Sequence, residues 1–119
     1  MTDHSDSGTV DQSRFLKCIA EQTRLQILAL LAKGQERCVG EIADTLDKEQ
    51  SLISHHLARL RECNIVSAKQ AAQKVYYLVA DSRISQLVLL IQSLVTSTSL
   101  CKPRTPYCQE QEESIDHGE

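Results

Sequence analysis

From Asp11 onward the apolar side chains recur with the period of a helix. Phe15, Leu16 and Ile19 fall at i, i+1 and i+4 and make one face. Residues 23–33 continue the pattern through Leu25, Ile27, Leu28, Leu30 and Leu31, and Gly34 is placed to end it. A short helix over residues 39–46 puts Val39, Ile42, Ala43 and Leu46 on one side. Asp47-Lys48-Glu49 makes a polar turn, and a second helix over residues 50–62 turns Leu52, Ile53, Leu57 and Leu60 inward. Two short helices about three residues apart predict a helix-turn-helix. The period then falls to about two. Residues 65–69 and 74–79 read as strands, with residues 70–73 joining them into a hairpin. A last helix over residues 81–98, capped by Asp81 or Ser82, carries a wide stripe of Ile84, Leu87, Val88, Leu90, Ile91, Leu94 and Val95. Pro103 and Pro106 prevent its continuation. The expected fold class is mainly α with a β-hairpin wing, a winged helix-turn-helix. The last stripe is wider than the cover of a small core requires. It predicts dimerisation through the terminal helices, against the plainer reading of core packing.

Composition sets the limits of this picture. A chain of 119 residues with 41% hydrophobic residues is one domain's worth, and 3% aromatics with no Trp leave the core to Leu, Ile, Val and Ala. Residues 1–10 read as a disordered acidic arm, residues 11–98 as the DNA-binding and dimerisation domain, and residues 99–119 as a flexible acidic tail that holds cysteines. The formal net charge of −3 argues against nucleic acid until it is divided. All 13 Lys and Arg lie in residues 12–108, against 8 of the 16 Asp and Glu, so the middle is +5 between acidic ends. The longest apolar run, Leu87 to Ile91, is far short of the roughly 20 residues of a membrane span, and the polar N-terminus does not read as a signal peptide. Five cysteines without a secretion signal predict a reducing, cytoplasmic setting with thiols free for metal or redox chemistry.

The helix over residues 50–62 carries the binding signal. Gln50, Ser51, Ser54, His55, Ala58 and Arg59 face away from its apolar positions. Gln suits adenine, Arg suits guanine, and Ser suits several bases. Arg61, Lys69 and Lys74 would add phosphate contacts. A polar helix face that binds nothing explains the spacing equally well, and the Lys pair of the hairpin tips the balance towards double-stranded DNA. His55 and His56 point about 100° apart on a helix and do not share a metal easily.

Several segments then carry a resemblance. Arg24-Leu25-Gln26-Ile27-Leu28, Cys38-Val39-Gly40-Glu41-Ile42-Ala43, Ser54-His55-His56-Leu57-Ala58-Arg59-Leu60-Arg61 and Val75-Tyr76-Tyr77-Leu78 together resemble the ArsR/SmtB family. Its members are dimeric repressors that release their operator when a metal ion or metalloid binds. The resemblance covers residues 12–97 and implies Gln50, Ser51, Ser54, His55 and Arg59 as operator contacts. It departs at the wing tip, where the family often has Gly and this chain has Ala71-Ala72.

The family does not fix the inducer. Its zinc pattern on the last helix, an Asp-x-His start, is absent: Asp81 is followed by Ser82 and Arg83. Its arsenic and cadmium sensors carry Cys-x-Cys on the first motif helix; here Cys38 stands alone, with Gly40 in the second place. The tail supplies Cys101 and Cys108, spaced Cys-x6-Cys, with no packing reason to be there. Soft ions favour all-sulfur ligation. The expected metal ligands are therefore Cys101 and Cys108 with Cys38 or Cys63, for As(III)/Sb(III) or Cd(II)/Pb(II). Cys63 sits where some cadmium and lead sensors of the family have a cysteine, although Arg59 stands where they have another. Cys18, on an apolar face beside Ile19, reads as core. The alternative is a redox or sulfide sensor on the same scaffold. No nucleophile constellation supports an enzyme.

Overall fold

The computed structural model of the chain describes residues 2–97, so the tail with Cys101 and Cys108 lies outside the described residues. The elements run α1 (Thr2–Ile19), α2 (Gln22–Leu31), β1 (Arg37–Cys38), α3 (Val39–Leu46), α4 (Gln50–Glu62), β2 (Val66–Ala71), β3 (Lys74–Val79) and α5 (Ser82–Ser97). This is the expected winged helix-turn-helix. Helical backbone begins at Thr2, where the sequence was read as an unstructured arm. No proline interrupts residues 2–19, and polar composition alone does not stop a helix that continues from a packed one.

Burial follows the predicted stripes. Ile27 and Leu28 of α2, Ile42 of α3, Ile53, Leu57 and Leu60 of α4, and Ile65 are fully buried in one cluster, and Val88 brings α5 against it. Each such side chain contributes roughly 1.5–3 kcal/mol of transfer free energy. Leu52 corrects the expectation: it is 40% exposed. Ile53, Leu57 and Leu60 fall at i, i+4 and i+7 and fill the inward stripe, and a neighbour one residue away points about 100° off it.

The chain turns tightly around α4. Asp47 ends α3 at φ 57, and Lys48 N donates to Ala43 O at 3.0 Å. At the other end Asn64 takes φ 60, Asn64 N donates to Arg61 O at 3.0 Å and Ile65 N to Leu60 O at 2.9 Å. This is a Schellman closure with Asn in the place glycine favours, and the buried pair Leu60 and Ile65 packs beneath it.

The sheet holds three strands in the order β1-β3-β2, all antiparallel. β1 escaped the sequence reading because two residues carry no period; its residues Arg37 and Cys38 pair with Tyr77 and Tyr76. β2 runs to Ala71, so only Ala72 and Gln73 form the turn, and the register runs from Val66 opposite Val79 to Ala71 opposite Lys74. Ala72 sits at φ 58, the left-handed region. An L-residue with a Cβ is disfavoured there by roughly 1–2 kcal/mol, partly offset by glycine's greater freedom when unfolded. Ala72→Gly is expected to stabilise the chain by about 1 kcal/mol, raising Tm by roughly 4–8 °C. Thermal unfolding by circular dichroism measures this; a lower Tm would mean that the turn does not hold Ala72 left-handed.

Candidate nucleic-acid interface and thiol groups

α4 is held by its inner stripe and so presents a fixed outer one. Gln50, Ser51, Ser54, His55, Ala58, Arg59 and Arg61 are all exposed. Arg24 of α2, with His55, Ala58, Arg59 and Glu62, lines a shallow cleft along that face. The predicted contact residues of α4 thus share one surface. The two wing lysines differ. Lys74 is exposed at the start of β3. Lys69 Nζ lies 3.1 Å from Glu36 Oε2, and Arg59 Nη1 lies 3.4 Å from Glu62 Oε1. Exposed pairs of this kind contribute only about 0–1 kcal/mol, so a phosphate can displace the carboxylate.

The inner side of α4 is tied to α2 by a polar cluster that the sequence did not reveal. Glu21 caps α2, accepting from Arg24 N at 2.8 Å. Arg24 Nε donates to the Cys18 carbonyl, and Arg24 Nη1 donates to His56 Nδ1 at 3.3 Å. Glu21 Oε1 lies 3.8 Å from the same nitrogen. An Nδ1 that accepts from a guanidinium carries no proton, so His56 is the neutral Nε2–H tautomer. Its pKa is lowered from 6.5, chiefly by burial, with Arg24, His55 and Lys48 adding to the effect and Glu21 opposing it. His56 is therefore a structural histidine, while its neighbour His55 belongs to the outer face.

At the start of α5, Asp81 Oδ1 accepts from Arg83 N at 2.8 Å, which makes Asp81 the cap. The Arg83 side-chain and backbone hydrogen bonds lower the Asp81 carboxyl to about 2. Arg83 is thus bound to Asp81 at the place of the family's Asp-x-His.

The cysteines divide by place. Cys38 ends β1 and is the N-cap of α3, and its backbone N–H donates to Glu41 Oε1 at 3.1 Å. It is half-buried, which gives it a structural role besides the predicted ligand role. A Cβ at Gly40 would lie 3.6 Å from Gln50 Nε2, an ordinary contact, so the missing second cysteine of Cys-x-Cys is not excluded by space. Cys63 is the half-buried C-cap of α4. Cys18 is buried, as expected. Among the described residues no three or more His, Cys, Asp or Glu are grouped to hold a metal, and no helix is long and apolar enough to cross a membrane.

Comparison with known proteins places this geometry. Residues 21–68 match the family model described as bacterial regulatory protein, arsR family. An HTH-type transcriptional regulator of Methanocaldococcus jannaschii is 37% identical over 69% of this chain and 92% of its own length. A probable mercury resistance operon repressor of Streptomyces lividans is 33% identical over 79% of this chain and 77% of its own. An arsenic resistance regulator of Pseudomonas putida is 43% identical over 51% of this chain and 48% of its own. The solution structure of a homodimeric winged helix-turn-helix DNA-binding domain from Mycobacterium bovis superposes with a TM-score of 0.74 at 30% identity, covering 88% of this chain and 95% of that one.

The state of His56 makes stability depend on pH in one direction. Its folded pKa lies below the unfolded value of 6.5, so on acidification the unfolded chain binds a proton that the folded chain resists. The contribution is fully present above pH 6.5 and is lost as pH falls below it. Urea unfolding between about pH 7 and 5.5, above the carboxylate range, is expected to show stability falling with pH and a flatter profile in His56→Gln. Equal slopes for the two chains would assign the dependence to other groups.

Proposed function

The chain belongs to the ArsR family of bacterial regulatory proteins and is a winged helix-turn-helix transcriptional regulator; from that premise we propose that it is a homodimeric repressor that releases a twofold operator when a thiophilic metal or metalloid ion binds its cysteine thiolates. The observation that carries the DNA reading is the single exposed face of α4, with Gln50, Ser51, Ser54, His55 and Arg59 side by side above a fully buried stripe. These residues read base edges, and Lys69 and Lys74 on the wing meet phosphates. Dimerisation is supported by the apolar side chains left in water: Leu89, Leu90, Leu94 and Val95 on α5, and Val10 and Leu16 on α1. A twofold dimer places two recognition helices about one DNA turn apart.

The inducer reading rests on the chemistry of the donors and on relatives named for mercury and arsenic resistance. Cys101 and Cys108, with Cys38 or Cys63, supply three sulfurs. As(III) or Sb(III) takes three thiolates in a pyramid, and Cd(II) or Pb(II) accepts three or four. Binding lowers operator affinity only if the ion prefers the free dimer, a coupling typically of ~1–3 kcal/mol.

The test starts from an operator selected from random duplex DNA by the purified chain, with release scored by gel shift against As(III), Sb(III), Cd(II), Pb(II) and Zn(II). The Cys101→Ser/Cys108→Ser double variant is expected to bind this DNA normally and to keep it when the active ion is added. Full release from the double variant would sink the tail-ligand reading. Lys74→Ala is expected to weaken binding about equally across sequences and to reduce the slope of log K against log salt by about 1. An unchanged slope would remove Lys74 from the phosphate contacts.

A further inference from the structure

The last turn of α4 gathers two thiols that lie far apart in the sequence. The Cys18 Sγ, from the end of α1, donates to the Arg59 carbonyl at 3.6 Å. The Cys63 amide donates to that same oxygen at 3.3 Å. One acceptor therefore holds the thiol of one cysteine and the backbone of the other. Cys18 belongs to the buried core cluster, and Cys63 packs against it. Their access to solvent differs: Cys18 is 2% exposed, whereas Cys63 is half-buried at a helix end.

We propose that Cys18 and Cys63 form a peroxide-responsive dithiol that closes to an intramolecular disulfide, joining α1 to the end of the recognition helix. The division of labour follows from access. The Cys63 thiolate meets the hydroperoxide first. Its sulfur attacks one oxygen, the O–O bond breaks, and the hydroxide released takes a proton to leave as water, so Cys63 becomes a sulfenic acid. The Cys18 sulfur then attacks the Cys63 sulfur, the S–O bond breaks, and a second water leaves with the Cys18 proton. Two thiols lose two electrons and the peroxide gains them. Burial keeps Cys18 out of reach of solvent oxidants until its neighbour is oxidised. Closure removes the thiol donor from the Arg59 carbonyl, directly behind the outward Arg59 and His55 side chains. It does not involve Cys101 or Cys108, so it stands apart from the tail-ligand reading.

Peptide mapping of the full chain under non-reducing conditions tests this, after limited hydrogen peroxide and blocking of the free thiols. The expected product is a Cys18–Cys63 linked peptide with two thiols lost, reversed by dithiothreitol. The Cys101→Ser/Cys108→Ser double variant is expected to give the same bridge, and Cys63→Ser is expected to lose it. Closing a loop of this length is expected to raise Tm on the order of 10 °C in the oxidised chain. Cys63 linked instead to Cys38, Cys101 or Cys108 or to a second chain, Cys63 oxidised to sulfinic acid without a bridge, or all thiols left free would each overturn the proposal.

Discussion

The structure depends on one constraint: α4 must be fully committed on one side to be fixed on the other. Ile53, Leu57 and Leu60 have no exposed surface, and dense interiors do not let such side chains slide. The orientation of Ser54, His55 and Arg59 is thereby set by groups that never meet a ligand. A polar tie reinforces the apolar one. Arg24 holds the Cys18 carbonyl of α1 and the His56 ring of α4 at once, while Glu21 caps the start of Arg24's own helix. A buried imidazole that accepts from a guanidinium is satisfied only while α2 and α4 keep their relative placement. The cluster thus specifies the geometry of the reading head more than it adds stability.

Electrostatics divides along the same line. Glu21, Arg24 and His56 between α2 and α4 are paired, whereas the outer groups are paired loosely. The pairs Arg59–Glu62 and Lys69–Glu36 are exposed on both sides and lie within reach of solvent ions. In the free protein they neutralise part of the +5 middle segment without fixing it. In the proposed DNA complex the same cations would be available to phosphates, and the acidic partners would add a penalty to wrong placements. The overall charge of −3 describes none of this, because half of the acidic residues lie in the two terminal segments.

Period and punctuation made most of the fold legible. The bounds of α3, α4 and β3 could be read from apolar spacing flanked by Asp47-Lys48-Glu49 and by the change of period after Cys63. What escaped was tertiary in origin. β1 exists because Arg37 and Cys38 meet β3, and no two-residue segment carries a signal of its own. Leu52 looked like core because it is Leu; the stripe was already complete without it. His56 was placed on neither face by its sequence, and the Arg24 donor makes its burial tolerable. Ala72 shows a different gap: the family's usual glycine marks a left-handed turn, and here the two-residue connection holds an alanine in it. The outward residues of α4 were legible as a set, whereas the pairing of Lys69 with Glu36 was not, because 33 residues separate the partners.

The cysteines carry the same lesson into chemistry. The family resemblance drew attention to Cys38 and Cys63, and the short interval between Cys101 and Cys108 drew it to the tail. Cys18 and Cys63, 45 residues apart, are linked by no interval and meet only because α1 packs against α4. Each residue has a sufficient local reason of its own, Cys18 as a small apolar group and Cys63 as a helix cap. The cap bond of Cys63 and the thiol of Cys18 meet on the Arg59 carbonyl. That carbonyl belongs to the residue whose side chain turns outward beside His55, so a change of state at the two sulfurs would act on the backbone of the reading face itself. A ligand drawn in by the tail would have to reach the same helix through Cys63 or through α3. The end of α4 is therefore the point in the described structure where thiol chemistry and DNA reading are closest in covalent terms.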